Sequence, residues 1–551
     1  MDNLRTILWA IFATMVFLTW TQWESENNTI TQVDLVGKDL ENAAKFEQRD
    51  FDLEDKSDDS LPTILPLPDE SALASRQEDP EKNLVSVSTD VLDIQISRKG
   101  GTLVSSKLKN YPLSKDVPDV PVQLLSLAEE NSYVIATGLV DGSQEGPTHL
   151  TYLNTIDDNY LLEADLLEVP FSWSNEEGLK VDKVYKFFRG KYNIEIEYRI
   201  RNKSDSDWTV LNYSQISRKN NPPERSMFNV DTYSYFGGIY YDGEKYEKID
   251  PDDLQESPID ISLKGGWVAF LQHHFLTALV PEADLDYRYE AIYKNNNLTL
   301  RTTSPAKIIL SGSSDNINTS LFVGPKLQDQ LKDSAPGLEL TVDYGILAIL
   351  ASPLFWLLDK VHNYIGNWGW SIIIITLLIK LAFYKLTEAS GRSMAKMRKL
   401  QPRLKSIQER YKDDRQALSQ HMMDLYKREK VNPAAGCLPM LIQIPFFIAF
   451  YWVLLESVEM RQAPFALWIN DLSSRDPFFV LPLLMGAAMF IQQKLNPAPP
   501  DPVQAKVMSI LPIMFTFFFA FFPAGLVLYW LTNSVLSILQ QWNINRRLGA
   551  E

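Results

Sequence analysis

The sequence predicts a polytopic α-helical membrane protein carrying a large extracytoplasmic β-sandwich, and three observations support that prediction. Charge is split along the chain: residues 1 to 344 hold 32 Lys and Arg against 57 Asp and Glu, and residues 345 to 551 hold 21 against 13. The basic part contains a succession of apolar runs. The acidic part, from about Leu84 to Val342, instead shows short period-two alternations separated by Gly, Asn, Asp and Pro, the pattern of antiparallel strands. An acidic soluble half joined to a basic, apolar half fits a membrane protein whose basic side faces an anionic cytoplasmic leaflet. The same acidity makes DNA a poor partner.

The chain opens with an apolar run over residues 7 to 20 after Arg5, and no small-x-small cleavage site follows. Residues 1–23 therefore read as an uncleaved transmembrane anchor that starts in the cytoplasm, rather than a signal peptide. Residues 24–82 are acidic, Pro-bearing and poor in aromatics. Such a segment buries too little apolar surface to offset its ordering entropy, which predicts a flexible tether.

Residues 83–343 contain runs such as KVYKFFRGKYNIEIEYRIRN and AKIILSGSS, which predict a large β-sandwich. His273 and His274 are adjacent in a predicted strand, so their side chains would point to opposite faces and could not share a metal. No nucleophile elbow, CxxC pair or HExxH occurs, and no catalytic residue, metal ligand or cofactor site is expected. A docking or spacing role is the reading for this domain. Cys437, the single cysteine, excludes an intrachain disulfide framework and reads as a small buried residue.

In residues 344–366, Pro353 interrupts an apolar run that Asp359 and Lys360 end, leaving about 13 residues where about 20 are needed to cross. Parity agrees. If this segment lies flat as an amphipathic helix in the outer interface, the span at 367–386 delivers the loop 387–434 to the cytoplasm, and that loop carries 12 Lys and Arg against 6 Asp and Glu. Further spans are predicted at 435–457, 477–493, 507–522 and 526–541, giving six crossings and a short cytoplasmic tail at 542–551. The fifth is short, about 24 Å of helix, so local thinning of the bilayer is expected.

One cation, Lys380, stands inside the second span. A charge at that depth costs roughly 2.5 kcal/mol or more and commonly faces a cavity, although a lysine so near Lys385 can also snorkel to the headgroups. Thr376, Gln443, Tyr529, Thr532, Asn533 and Ser537 are further polar groups at membrane depth. Each alone could bond a neighbouring helix, and together with Lys380 they outline a polar recess. In the loop, Met394, Met397, Leu400, Leu404, Ile407 and Tyr411 form one apolar stripe and Leu418, Met422 and Leu425 a facing one, predicting a helical hairpin that reverses near residue 413. Its Met-rich, basic surface, with Met394, Met397, Arg398 and Lys399, also suits apolar nascent segments or ribosomal RNA. On these features alone, a transporter with a charged solute site and a membrane insertase remain open.

GNWGWSIIIIT, SMAKMRKLQP, KVNPAAGCLPMLIQIPFF, RQAPFALWINDLS and FPAGLVLYWLTN, in this order, resemble the YidC, Oxa and Alb family of membrane protein insertases, specifically the Gram-negative YidC type. The resemblance implies a periplasmic β-super-sandwich, a five-helix insertase core and an inner-membrane location with both termini cytoplasmic. It implies a hydrophilic groove closed to the periplasm, with Lys380 as its cation and Thr376, Gln443, Tyr529, Trp530 and Asn533 as its lining. Phe447, Phe515, Phe518 and Phe522 would contact the emerging substrate helix. Implied partners are nascent membrane proteins, the Sec translocon (SecYEG, SecDF), the ribosome through the cytoplasmic loops, and lipids. Two positions depart from the family pattern. Lys380 stands where Arg is usual, keeping the charge without the bidentate fork, and Trp530 stands where Tyr is common, keeping only an N–H donor.

Overall fold

The computed structural model describes residues 83–547 except 116, 142–145, 224–233, 412–413, 430, 432–437 and 496–501. The expected anchor, the tether, Cys437 and residues 548–551 lie outside the described residues.

Residues 84–325 form two stacked sheets. Nine strands of the 11-stranded sheet run in the order Ile259–Lys264, Asp286–Lys294, Asn297–Thr303, Trp208–Lys219, Tyr133–Asp141, Thr102–Ser114, Leu92–Ser97, Leu84–Ser88 and Asn159–Leu161. Two strands lie off this path: Lys307–Ile309 pairs with Trp208–Lys219, and Val117–Leu125 with Thr102–Ser114. The 8-stranded sheet runs Tyr246–Lys248, Phe236–Tyr241, Trp267–Gln272, Phe275–Val280, Ser314–Pro325, Asn193–Asn202, Leu179–Phe188 and Leu166–Ser174.

The alternation that predicted these strands places one face of each inside. In Asn193–Asn202, Ile194, Ile196, Tyr198 and Ile200 are buried, and the residues between them are not. One predicted strand is a turn. His273, at φ 45°, and His274 connect Trp267–Gln272 to Phe275–Val280, and their rings stack with centroids 3.6 Å apart. They do not point to opposite faces, because a tight turn replaces the pleat that would have separated them.

The C-terminal half is helical: α1 Ala348–Ile365, α2 Trp368–Ala382, α3 Tyr384–Arg410, α4 Arg415–Arg428, α5 Leu438–Glu456, α6 Val480–Leu495, α7 Pro502–Phe519 and α8 Ala524–Arg547. Several helix boundaries differ from the sequence reading, and the apolar run within 344–366 is longer than expected. Helix α1 runs through Pro353 and past Lys360, since Pro353 removes only the bond to the Ile349 carbonyl, early in the helix, and Ala351, Leu354, Phe355 and Leu358 bury one face against α2 and α5. Gly345–Ile365 is long and apolar enough to cross a bilayer, by length and composition. Its assignment to an interface thus rests on charge parity alone.

The second run bends by 68° between α2 and α3. Phe383 leaves the helix at φ −92°, ψ 11°, with its ring edge-on to Phe446 at 5.4 Å, so residues 384–386 belong to the hairpin helix. Helix α7 ends at Phe519, not 522. Phe521 and Phe522 donate to carbonyls three residues back, a tightened last turn that feeds Pro523. Helix α8 continues beyond 541 to Arg547, because no Gly or Pro stops it and Ile544 is buried against α3 at Gly391. Ile442–Glu456, Val480–Leu495 and Lys506–Phe519 are shorter apolar helices.

Loop 457–476 braces one end of the helical half. The first N–H groups of α8, at Ala524 and Gly525, donate to Ser474 O at 2.7 Å and Leu472 O at 2.9 Å, satisfying donors that a helix start leaves orphaned. Buried Asp476 accepts from Phe478 N at 3.0 Å and Leu481 N at 2.7 Å, at the start of α6, and from Trp468 Nε1 at 3.0 Å.

Candidate polar recess in the helical half

Lys380 falls in the last turn of α2, on the face turned to α8, and is buried. Its Nζ donates to Ser537 Oγ at 2.7 Å, and Ser537 in turn donates to the Asn533 carbonyl at 2.7 Å. Among the described residues no carboxylate forms an ion pair with Lys380. Asn533 and Gln443 exchange side-chain amide bonds at 3.2 and 3.4 Å, linking α8 to α5. A polar column thus runs from Lys380 through Ser537 and Asn533 to Gln443. Ser537 lies one helical turn beyond Asn533, the spacing that brings side chains onto one face.

The remaining expected lining residues are placed differently. Thr376 is buried, and its hydroxyl donates to the Ile372 carbonyl of its own helix at 2.7 Å, so it offers no free donor to the column. Tyr529 is buried with its ring stacked on Phe450 at 4.6 Å. Trp530 joins the aromatic residues: it meets Phe447 edge-on at 4.8 Å and lies 5.5 Å from Phe519 and 6.5 Å from Phe515. Phe518 packs on Phe519 at 5.5 Å and on Phe522 at 4.7 Å. The four expected contact residues therefore belong to one aromatic sheet spanning α5, α7 and α8. Phe518 is exposed, whereas Phe447, Phe515 and Phe522 are half-buried.

The hairpin α3–α4 carries its own apolar cluster of Leu400, Leu404, Met422, Tyr426 and Val431, with Met397, Ile407, Leu418 and Leu425 packed against it. Tyr411 stacks on His421 at 4.3 Å at the reversal. Met394 and Arg398 are half-buried and Lys399 is exposed.

Sequence reasoning missed a second polar site, where the sandwich meets the end of α5. Lys326 Nζ lies 3.1 Å from Glu456 Oε2 and also donates to the Thr341 carbonyl at 3.2 Å. His273 Nε2 lies 3.1 Å from the Leu455 carbonyl, and the hydroxyls of Tyr344 and Ser457 are 3.1 Å apart. Nearby, Oε2 of Glu459 is shut off from solvent without a partner, and burial raises its carboxyl to about 7. No spacing signal could have paired residues so far apart in the chain.

This architecture defines a class: an α-helical protein with an extensive apolar surface, a buried cation that has no ion-pair partner among the described residues, and an appended β-sandwich. Residues 84–357 match the YidC periplasmic domain model, and residues 360–551 match that of the 60Kd inner membrane protein. Membrane protein insertase YidC of Thioalkalivibrio sulfidiphilus is 45% identical over 100% of this chain and 99% of its own length. That of Nitrosococcus oceani is 45% identical over 100% of both chains. The chain belongs to the YidC family. Among solved structures, an active YidC insertase is similar with a TM-score of 0.39 and 19% identity, over 83% of this chain and 92% of that one. A galactose mutarotase related enzyme from Lactobacillus acidophilus is similar with a TM-score of 0.32 and 11% identity, over 44% of this chain and 97% of the other.

Proposed function

We propose that this chain is a membrane protein insertase and chaperone of the Gram-negative inner membrane, acting on nascent membrane proteins alone or with the Sec translocon. The observation that carries the reading is Lys380, a buried cation with a neutral hydroxyl as its partner. A cation without a counter-ion in a low-dielectric setting attracts an acidic or polar tail strongly and still releases it, since no permanent partner has to be rebuilt. The column Lys380–Ser537–Asn533–Gln443 forms the floor of the groove. The exposed aromatic face at Phe518 gives the substrate's apolar helix a surface along α5 and α7 on its way to lipid.

In this reading residues 1–23 anchor the chain, 24–82 tether the periplasmic sandwich, and α1 lies in the outer interface. Helix pairs then cross so that the α3–α4 hairpin and both termini face the cytoplasm. Basic charge at the hairpin supports that orientation. The hairpin is the contact for the ribosome, because it carries the basic charge of the loop 387–434.

Site-specific crosslinking from positions 376, 447 and 518 to a stalled, single-span nascent chain tests the route. Adducts from all three support it. Absence of adducts, together with protection of Lys380 from labelling by a soluble solute, overturns it in favour of a transporter.

A further inference from the structure

The 102–125 hairpin reaches beyond the sheet it belongs to. Among the described residues its second strand, Val117–Leu125, pairs only with Thr102–Ser114 and lies off the main strand order. The distal part seats on loop 457–476: Arg461 donates to the Leu113 carbonyl at 3.0 Å, and Gln462 Nε2 to the Pro112 carbonyl at 3.1 Å. Lys115 lies within electrostatic reach of Asp471, which accepts from the Ser474 hydroxyl at 2.7 Å. Ser474 O receives the first N–H of α8. The hairpin tip is therefore held at the level where α5 ends and α8 begins.

At that level three apolar side chains are left uncovered: Leu113 is 58% exposed, Val117 44% and Val120 47%. Exposed Trp370 in the first turn of α2, and Leu467 and Phe478 in the connection before α6, lie at the same ends of their helices. Apolar and aromatic side chains collected at helix ends mark a water–bilayer boundary.

We propose that the tip of this hairpin dips into the outer leaflet, with Leu113, Val117 and Val120 in the headgroup region. It serves as a second membrane contact that holds the sandwich over the α7–α8 turn. The chemistry favours lipid over a protein strand. Pro118 and Pro121 deprive this short strand of two N–H donors, which makes it a poor template for strand addition. Lys115 and Asp119 flank the apolar side chains and keep their charges in the headgroup layer.

The inference rests on the bilayer reading of the helices, and the experiment separates the two. Single cysteines are placed at 113, 117 or 120 in a Cys437→Ser background of the full chain, labelled with an environment-sensitive fluorophore and reconstituted in vesicles of phosphatidylethanolamine and phosphatidylglycerol. Phe517→Cys, on the exposed face of α7 at 73% exposure, reports membrane depth. Ile308→Cys, 59% exposed, is the control remote from the membrane. Ile308 pairs with Thr209, about 30 Å along its strand from Arg218, which bonds Gln272 beside the His273 turn.

Quenching by headgroup-proximal spin-labelled lipid at 113, 117 and 120, with none at 308, is the expected result. Quenching at 517 but not at the three hairpin positions overturns the inference and leaves the bilayer reading standing. Loss of quenching at 517 as well overturns both.

Discussion

Lys326 Nζ and Glu456 Oε2, 3.1 Å apart and both buried, tie the residue after the Ser314–Pro325 strand to the last residue of α5. Removing one partner leaves an uncompensated charge in a dry site, which costs about 3–5 kcal/mol. Lys326→Met and Glu456→Leu should each lower the thermal midpoint of the purified protein. The double replacement Lys326→Met with Glu456→Leu should recover most of the loss, which melting curves of all four proteins would show. Additive losses would mean the pair is not coupled.

Glu459 gives a pH dependence of opposite sign to the usual carboxylate. Burial lifts its native pKa to about 7 from the ordinary glutamate value of 4.5. The native state thus binds more protons than the unfolded chain between those values, and stability falls as pH rises through that window. Glu459→Gln should match the parent near pH 4 and exceed it at pH 8. Equal melting temperatures at both pH values would contradict the account.

Gly369 and Gly486 are positions of close approach, to loop 457–476 and to α7 respectively. A Cβ at Gly369 would collide with the Phe465 ring, and one at Gly486 with the Thr516 hydroxyl. Gly369→Ala and Gly486→Ala should each cost about 1–3 kcal/mol through overpacking. Gly366→Ala is a less crowded comparison, with nothing near its Cβ but a φ of +71°. Its cost should reflect backbone strain alone, so melting of the three variants separates collision from strain.

The α3–α4 hairpin closes on Leu404 and Met422, both buried in its private cluster. Leu404→Ala should cost about 2–5 kcal/mol of local stability and speed amide exchange in α3 and α4 without changing the sandwich. Deletion of residues 394–430 should abolish ribosome binding, as read by co-sedimentation. Unchanged binding would assign the contact elsewhere.

Much of this architecture is legible in the sequence. Alternation along residues 193–202 fixed which side chains enter the sandwich, and the stripes at Leu400, Leu404 and Met422 fixed the hairpin seam, because both signals are local and periodic. Lys380 stood out because charge is rare in apolar helices. What escaped depends on tertiary partners. The bend at Phe383 follows a contact with Phe446, the turn at His273 follows sheet pairing, and Lys326–Glu456 joins residues with no periodic relation. Pro353 does not shorten the apolar run, because burial on α2 and α5 outweighs one lost hydrogen bond.

In the proposed function, the positive charge of Lys380 draws the substrate's polar tail into the groove. Insertion of an acidic-tailed, single-span protein into vesicles by the parent, Lys380→Arg and Lys380→Glu proteins tests it most directly. The account predicts that Lys380→Arg inserts like the parent and that Lys380→Glu loses insertion while keeping its melting temperature. Equal insertion by the parent and Lys380→Glu would contradict it.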